Sequence, residues 1–261
     1  MQYVGSMCSV VLLLRPAHPW PLVLAANRDE LASRPWRPPA RHWPDRPEVV
    51  AGLDETAGGS WMGLNDDGVA ACVLNRRGSL GPQPGKRSRG ELVLEALDHA
   101  TAADAALALA DLDPRAWRSF NLLLADEQRA FWLRHGGVDS EGIEVHPIRP
   151  GLSMLTAGDL NDGGNPRIAR FRPLFEAAPP PQPEAGPAGW QDWRELLATR
   201  DADQPAAGMS VSGPGGFGTV SSSLLALPRR PQTLTEPPRR PLWLFSAGAP
   251  DRGDYAPVDL S

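Results

Sequence analysis

An apolar run from Cys8 to Leu14, a break at Arg15-Pro16-Ala17-His18-Pro19, and a second run from Leu22 to Ala26 that stops in Asn27-Arg28-Asp29-Glu30 constrain this chain more than any other stretch. Two short apolar runs around a proline-bearing break read as a β-hairpin. Its second strand then delivers an amide, a guanidinium and two carboxylates to one end of the first, beside the Cys8 thiol. An unpaired charge at the end of a buried strand is costly, so these groups must bond one another or a ligand. The cluster is a candidate site, with a charged strand end that caps a loop as the plain alternative.

Composition narrows the function classes. A chain of 261 residues with 41% hydrophobic and 22% charged residues can bury a large core by itself. Its net charge of -5 provides no footprint for nucleic acid or for an anionic membrane. The cysteines, Cys8 and Cys72, match neither a secreted disulfide framework nor a metal-site spacing, so a reducing cytoplasm is expected and no metal. The five histidines, His18, His42, His99, His135 and His146, have no spacing that singles one out as base or ligand. No apolar segment approaches the roughly 18 residues that span a bilayer, so no integral membrane segment is expected.

In chain order, Met1–Met7 reads as a removable leader: initiation at Met7 and loss of that methionine would leave Cys8 first, its amine free beside its thiol. Residues 32 to 48 are rich in Pro and Arg and read as an ordered surface loop. Trp20, Trp36 and Trp43 lie in or near it, as a lid or as rings packed on the surface. Strands are expected at Gly58–Asn65 and Gly68–Asn75, joined by the turn Asn65-Asp66-Asp67-Gly68. Helices follow at Arg89–Leu97 and Thr101–Asp111, the second with Thr101 and Asp104 placed for a capping box. Further strands are expected at Phe120–Ala125, Ala130–Arg134, Gly142–Ile148 and Leu152–Ala157. Pro166 opens a helix to Glu176, residues 178 to 189 form a Pro-rich surface connector, Trp190–Ala198 is amphipathic, and Thr219–Leu227 and Pro241–Ala247 close the chain. This order points to one domain over residues 1 to 261, built of stacked sheets covered by helices.

Cys8, then Asn27-Arg28-Asp29-Glu30, then Gly58-Gly59-Ser60-Trp61-Met62-Gly63 and the strand ending in Asn75 resemble the NRDE family, also called the transport-and-Golgi-organisation type 2 family. The resemblance runs from about Met7 to the last strands. It implies an α+β fold, the four-layer αββα sandwich of N-terminal-nucleophile hydrolases, and an enzyme that cleaves a non-peptide C–N bond of a small molecule. Cys8 would be the nucleophile and its own α-amine the base. The unperturbed pKa values, about 7.7–8.0 for the amine and about 8.5 for the thiol, make both usable near neutral pH.

On the same resemblance Asp29 holds the thiol or the α-ammonium, Asn75 donates to the oxyanion, Asn27 completes the catalytic set, and Arg28, Trp61 and Asn161 touch substrate. Related cysteine acylases that cleave bile salts and penicillin V carry an arginine three residues before the aspartate, where this chain has Ala26. A later arginine often found after Gly-Tyr-Gly-Thr is also missing, because Gly216-Phe217-Gly218-Thr219 is followed by Val220. The competing expectation is a carrier of haem or lipid on the same fold, with haem as cargo rather than cofactor. The oligomeric state is left open.

Overall fold

The structure, a computed structural model, describes residues 8–137, 140–231, 233 and 238–261. Met1–Met7, the expected leader, lie outside them. The described chain forms two compact units. One comprises the residues up to Ser33 together with Pro150–Val258, the other Arg34–Arg149 together with Asp259–Ser261.

The first unit is built on the expected hairpin, β1 (Ser9–Leu14) and β2 (Leu22–Leu31), paired antiparallel from Ser9↔Asn27 to Leu14↔Leu22. β2 does not stop at Ala26. It runs on through Asn27-Arg28-Asp29-Glu30 because β11 (Phe217–Leu227) lies along its other edge as far as Leu31 and satisfies the backbone there. With β10 (Gly151–Leu155), β12 (Leu242–Ser246) and β13 (Ala256–Pro257) the sheet order is β10-β1-β2-β11-β12-β13. On one face lie α3 (Pro166–Ala177) and α4 (Gln191–Ala198), whose Ile168, Phe171, Phe175, Trp193 and Leu197 pack with Val11, Val23, Ala25 and Leu224. Leu12, Leu22 and Leu24, of the opposite face, are buried as well. Strands buried on both faces read as continuous apolar runs, which is why this hairpin shows no alternation.

The second unit is a seven-stranded antiparallel meander, β3 (Trp36–Ala40), β4 (Val49–Asp54), β5 (Met62–Asn65), β6 (Ala70–Asn75), β7 (Phe120–Ala125), β8 (Ala130–His135) and β9 (Glu144–Ile148), with α1 (Gly90–Leu97) and α2 (Ala102–Ala110) on one face. Thr101 caps α2 as expected, accepting from the Asp104 N–H at 3.1 Å. β3 corrects the loop expected over residues 32 to 48. Its prolines are tolerated because β3 is the sheet edge, where a missing N–H costs no ladder bond. Among the described residues no helix is long and apolar enough to cross a membrane.

The Gly58-Gly59-Ser60-Trp61 segment has a packing explanation. Gly58 has φ +72°, and a Cβ at Gly59 would come within 2.5 Å of the Gly90 carbonyl carbon, where the Ser60 N–H donates to Gly90 O at 3.1 Å. The neighbour is backbone and cannot swing aside. Gly59→Ala is therefore expected to destabilise the fold by about 1–3 kcal/mol, read as a lowered denaturant midpoint at unchanged slope. An unchanged midpoint would show that the loop relaxes freely.

Candidate active site

Cys8 immediately precedes β1, and its sulfur takes the place that the ended strand leaves open along β2. The Asp29 N–H donates to Cys8 Sγ at 3.4 Å, and the thiol lies 3.8 Å from Asp29 O as a donor. The sulfur thus completes the ladder at the residue where β1 no longer supplies backbone. Burial, then the negative charge of Asp29, push the thiol up to about 11, and the Asp29 N–H and Arg28 oppose this only in part. At neutral pH the thiol is protonated.

The Asp29 carboxylate is fully buried. Thr219 Oγ1 donates to Oδ1 at 2.6 Å, and Arg167 Nη1 stands 3.4 Å from Oδ2 while donating to Ser9 Oγ at 2.7 Å. Arg167 itself is 3% exposed. It sits in the first turn of α3, behind the cap Asn165, whose Oδ1 accepts from the Arg167 and Ile168 N–H groups at 3.0 and 3.3 Å. A helix N-terminus favours anions, so a buried cation there needs a local carboxylate, and Asp29 is that carboxylate.

Asn27 lies on the same face of β2 as Asp29. Its Nδ2 donates at 3.0 Å to both Leu197 O and Met209 O, and its Oδ1 accepts from Ser222 Oγ at 2.7 Å. Tyr255 in turn donates to Ser222 Oγ at 2.7 Å, and burial pushes its phenol up to about 12. β11 is bulged between Thr219 and Ser221, with Thr219 opposite Asp29 and Ser222 opposite Asn27. Residues three apart on a regular strand point to opposite faces. The extra residue, Val220, is what lets Thr219 and Ser222 both stand on the face of Asp29 and Asn27.

Arg28 and Glu30 occupy the other face of β2, 3.9 Å apart, with Arg28 at 6% and Glu30 at 26% side-chain exposure. Asn161 has φ +57° and serves its own loop: its Oδ1 accepts from the Met154 N–H at 2.8 Å and its Nδ2 donates to Ser153 Oγ at 3.3 Å. Asn75 and Trp61 belong to the second unit. Asn75 ends β6 opposite Phe120, and Trp61 packs edge-on against Trp36 at 5.7 Å. Cys8 and Cys72 are both free, Cys72 buried in mid-strand as its apolar neighbours imply. Among the described residues no group of three or more His, Cys, Asp or Glu is placed to hold a metal ion.

Sequence reasoning missed Arg167, Thr219, Ser9 and Ser222. Arg167 had a legible signal, a cation just inside a proline-opened helix. The bulge that pairs Thr219 and Ser222 with the strand had none.

The fold falls in the class of N-terminal-nucleophile hydrolase folds. The α+β class expected from the sequence is the one the solved structures show. The match to an N-acylethanolamine-hydrolyzing acid amidase orthologue from Caenorhabditis elegans has a TM-score of 0.54 at 13% identity, over 83% of this chain and 92% of that one. The match to a variant of conjugated bile acid hydrolase from Clostridium perfringens has a TM-score of 0.54 at 10% identity, over 97% and 94%. Residues 7–179 match the model of the family Transport and Golgi organisation 2, and the chain belongs to that family. The human Transport and Golgi organization protein 2 homolog is 36% identical over 110 residues, 40% of this chain and 38% of the human protein. The chain thus matches well under half the length of that relative.

Removing one member of a buried ion pair leaves the other charge uncompensated, at a cost of about 3–5 kcal/mol. Arg167→Met is expected to lose stability of that order, and Thr219→Val about 1.5–3 kcal/mol for a hydrogen bond to a charged group. Denaturant unfolding measures both. Equal, negligible losses would mean that Asp29 is not held by these groups.

Proposed function

We propose that this protein is an N-terminal-cysteine amidohydrolase that cleaves the C–N bond of a small non-peptide amide. The observation that carries the reading is the Cys8 sulfur set on the Asp29 N–H at the mouth of β1, in a fold shared with proteins named as an amidase and a bile acid hydrolase. With Cys8 freed as first residue, its α-amine takes the thiol proton and the sulfur attacks the amide carbonyl carbon. The amine passes that proton to the leaving nitrogen, the C–N bond breaks and an acyl thioester remains on Cys8. Water then attacks the thioester, its proton goes through the amine to the sulfur, and the carboxylic acid leaves. On this reading Asp29 is a positioning residue. Its N–H holds the sulfur, and the negative charge that keeps the thiol protonated favours the ammonium formed once the proton has moved. The thiol must stay reduced, which suits a cytoplasmic location.

A second reading, a carrier of lipid or haem, draws on the same thiol. A sulfur pushed up to about 11 and bonded to backbone is also a structural group.

The N-terminus separates the two. An amide nitrogen at Cys8 has no basic lone pair, so the form with Met7 attached is expected to turn over acyl amides at least about 10²-fold more slowly than a form trimmed to Cys8. N-acylethanolamines, conjugated bile acids and other N-acyl amides are suitable probes, with amine release as the readout and Cys8→Ala as the control. A trimmed form without turnover, together with undiminished ligand binding by Cys8→Ala, would leave the carrier. Alkylation supplies the pH arm. In the untrimmed form Cys8 is expected to react slowly at neutral pH and to gain about tenfold per pH unit toward a pKa of about 11.

A further inference from the structure

A cation in the first turn of α3 is not needed for packing. Ile168, Phe171 and Phe175 of that helix enter the apolar core, and an apolar side chain of similar length at position 167 would fill the same space. Replacing a buried ion pair by well-packed apolar residues is often neutral or stabilising. Arg167 is buried nonetheless, against a carboxylate that is fully buried, and the helix N-terminus around it already favours the opposite sign. Its position relative to Cys8 supplies a reason.

One nitrogen, Nη1, reaches both residues that flank the thiol. It donates to Ser9 Oγ at 2.7 Å, one peptide bond from Cys8, and stands 3.4 Å from Oδ2 of Asp29, whose N–H donates to the Cys8 sulfur. The charges that act on the thiol from β2 are Asp29, Arg28 and Glu30. β10 and β11, the other strands beside β1 and β2, carry no ionisable residue. Arg28 and Glu30 offset each other, 3.9 Å apart. Arg167 is the cation that offsets Asp29, because the other hydrogen bond to that carboxylate comes from the uncharged hydroxyl of Thr219. An amine at Cys8 beside an unbalanced Asp29 would be held as ammonium, and an ammonium has no lone pair with which to act as a base.

We propose that Arg167 is a positioning residue for the Cys8 amine: paired with Asp29 and Ser9, it stops the carboxylate from holding that amine as ammonium, so that the amine serves as base near neutral pH. The inference rests on the hydrolase reading, with Cys8 as first residue. Arg167 itself touches no reacting atom. It acts through the charge and the placement of Asp29 and Ser9, and its removal is expected to show first in the protonation of the amine.

The test uses the chain that begins at Cys8, with its cysteines 13C-labelled, and follows the Cys8 Cα resonance against pH. Cys72 has no free amine and serves as the internal reference. In the unsubstituted chain the amine is expected to titrate at or below about 8, its ordinary range. Arg167→Gln is expected to raise that step by about one pH unit or more, and Arg167→Lys to return it. Thr219→Val takes an uncharged donor from the same carboxylate and is expected to leave the step in place. A merely structural arginine would lower the melting temperature of Arg167→Gln without moving the titration. An unmoved step in Arg167→Gln, an equal rise in Thr219→Val, or an amine that titrates above about 9 in the unsubstituted chain overturns the proposal, and the last of these decides it even if Arg167→Gln fails to fold. Turnover of N-acyl amides is measured beside the titration. The expected shift without turnover by any form would sustain the role of Arg167 and sink the hydrolase reading, whereas turnover with an unmoved step would do the reverse.

Discussion

The first unit depends on one buried negative charge. Placing a carboxylate where water does not reach it costs several kcal/mol even after relaxation, and Asp29 meets that cost by drawing on three other elements of the unit. β11 gives the Thr219 hydroxyl, α3 gives Arg167, and Arg167 is held in turn by Ser9 of β1. None of these can shift without exposing a charge. The arrangement therefore fixes the register of β1, β2 and β11 near Cys8 more strictly than apolar packing would, because apolar side chains tolerate displacement and an ion pair in a dry site does not.

That constraint bears on what the thiol can do. A sulfur that completes a strand ladder is well placed and chemically silent, protonated at neutral pH by its burial and by the charge of Asp29. Silence and placement are compatible in a nucleophile whose base arrives only when a peptide bond is cut. The neighbouring charge that disfavours the thiolate would favour a protonated amine, so in the proposed reaction the same carboxylate opposes attack before the amine exists and assists it afterwards. On the proposed reading, position is supplied by the fold and the base by processing.

Much of this was legible from residue order. The hairpin, the turn at Asn65-Asp66-Asp67-Gly68, the capping box of α2 and the proline-opened start of α3 each rest on local chemistry, and each stands where local chemistry put it. The failures share a cause. β2 outran its expected end, and β3 formed in a run of prolines, because a neighbouring strand decided both, β11 in one case and β4 in the other. The bulge at Val220 is likewise a property of two strands rather than one. Arg167 was within reach, since a cation in the first turn of a helix contradicts the helix dipole and so asks for an anion nearby. Roles assigned by resemblance to Asn75 and Trp61 rest on the other unit, and Asn161 is engaged with its own loop.

A four-residue motif on a strand is two motifs of two. Asn27 and Asp29 point toward the helices of the first unit and are occupied there, Asn27 with the main chain at Leu197 and Met209, Asp29 with Thr219 and Arg167. Arg28 and Glu30 point the other way and stand 3.9 Å apart, and Glu30 Oε1 accepts from the Leu31 N–H at 2.9 Å. The first pair is anchored by hydrogen bonds to groups that cannot be replaced without leaving a buried polar atom unsatisfied, so its identity is set by the fold. Asn27 and Asp29 therefore explain why the strand is built as it is.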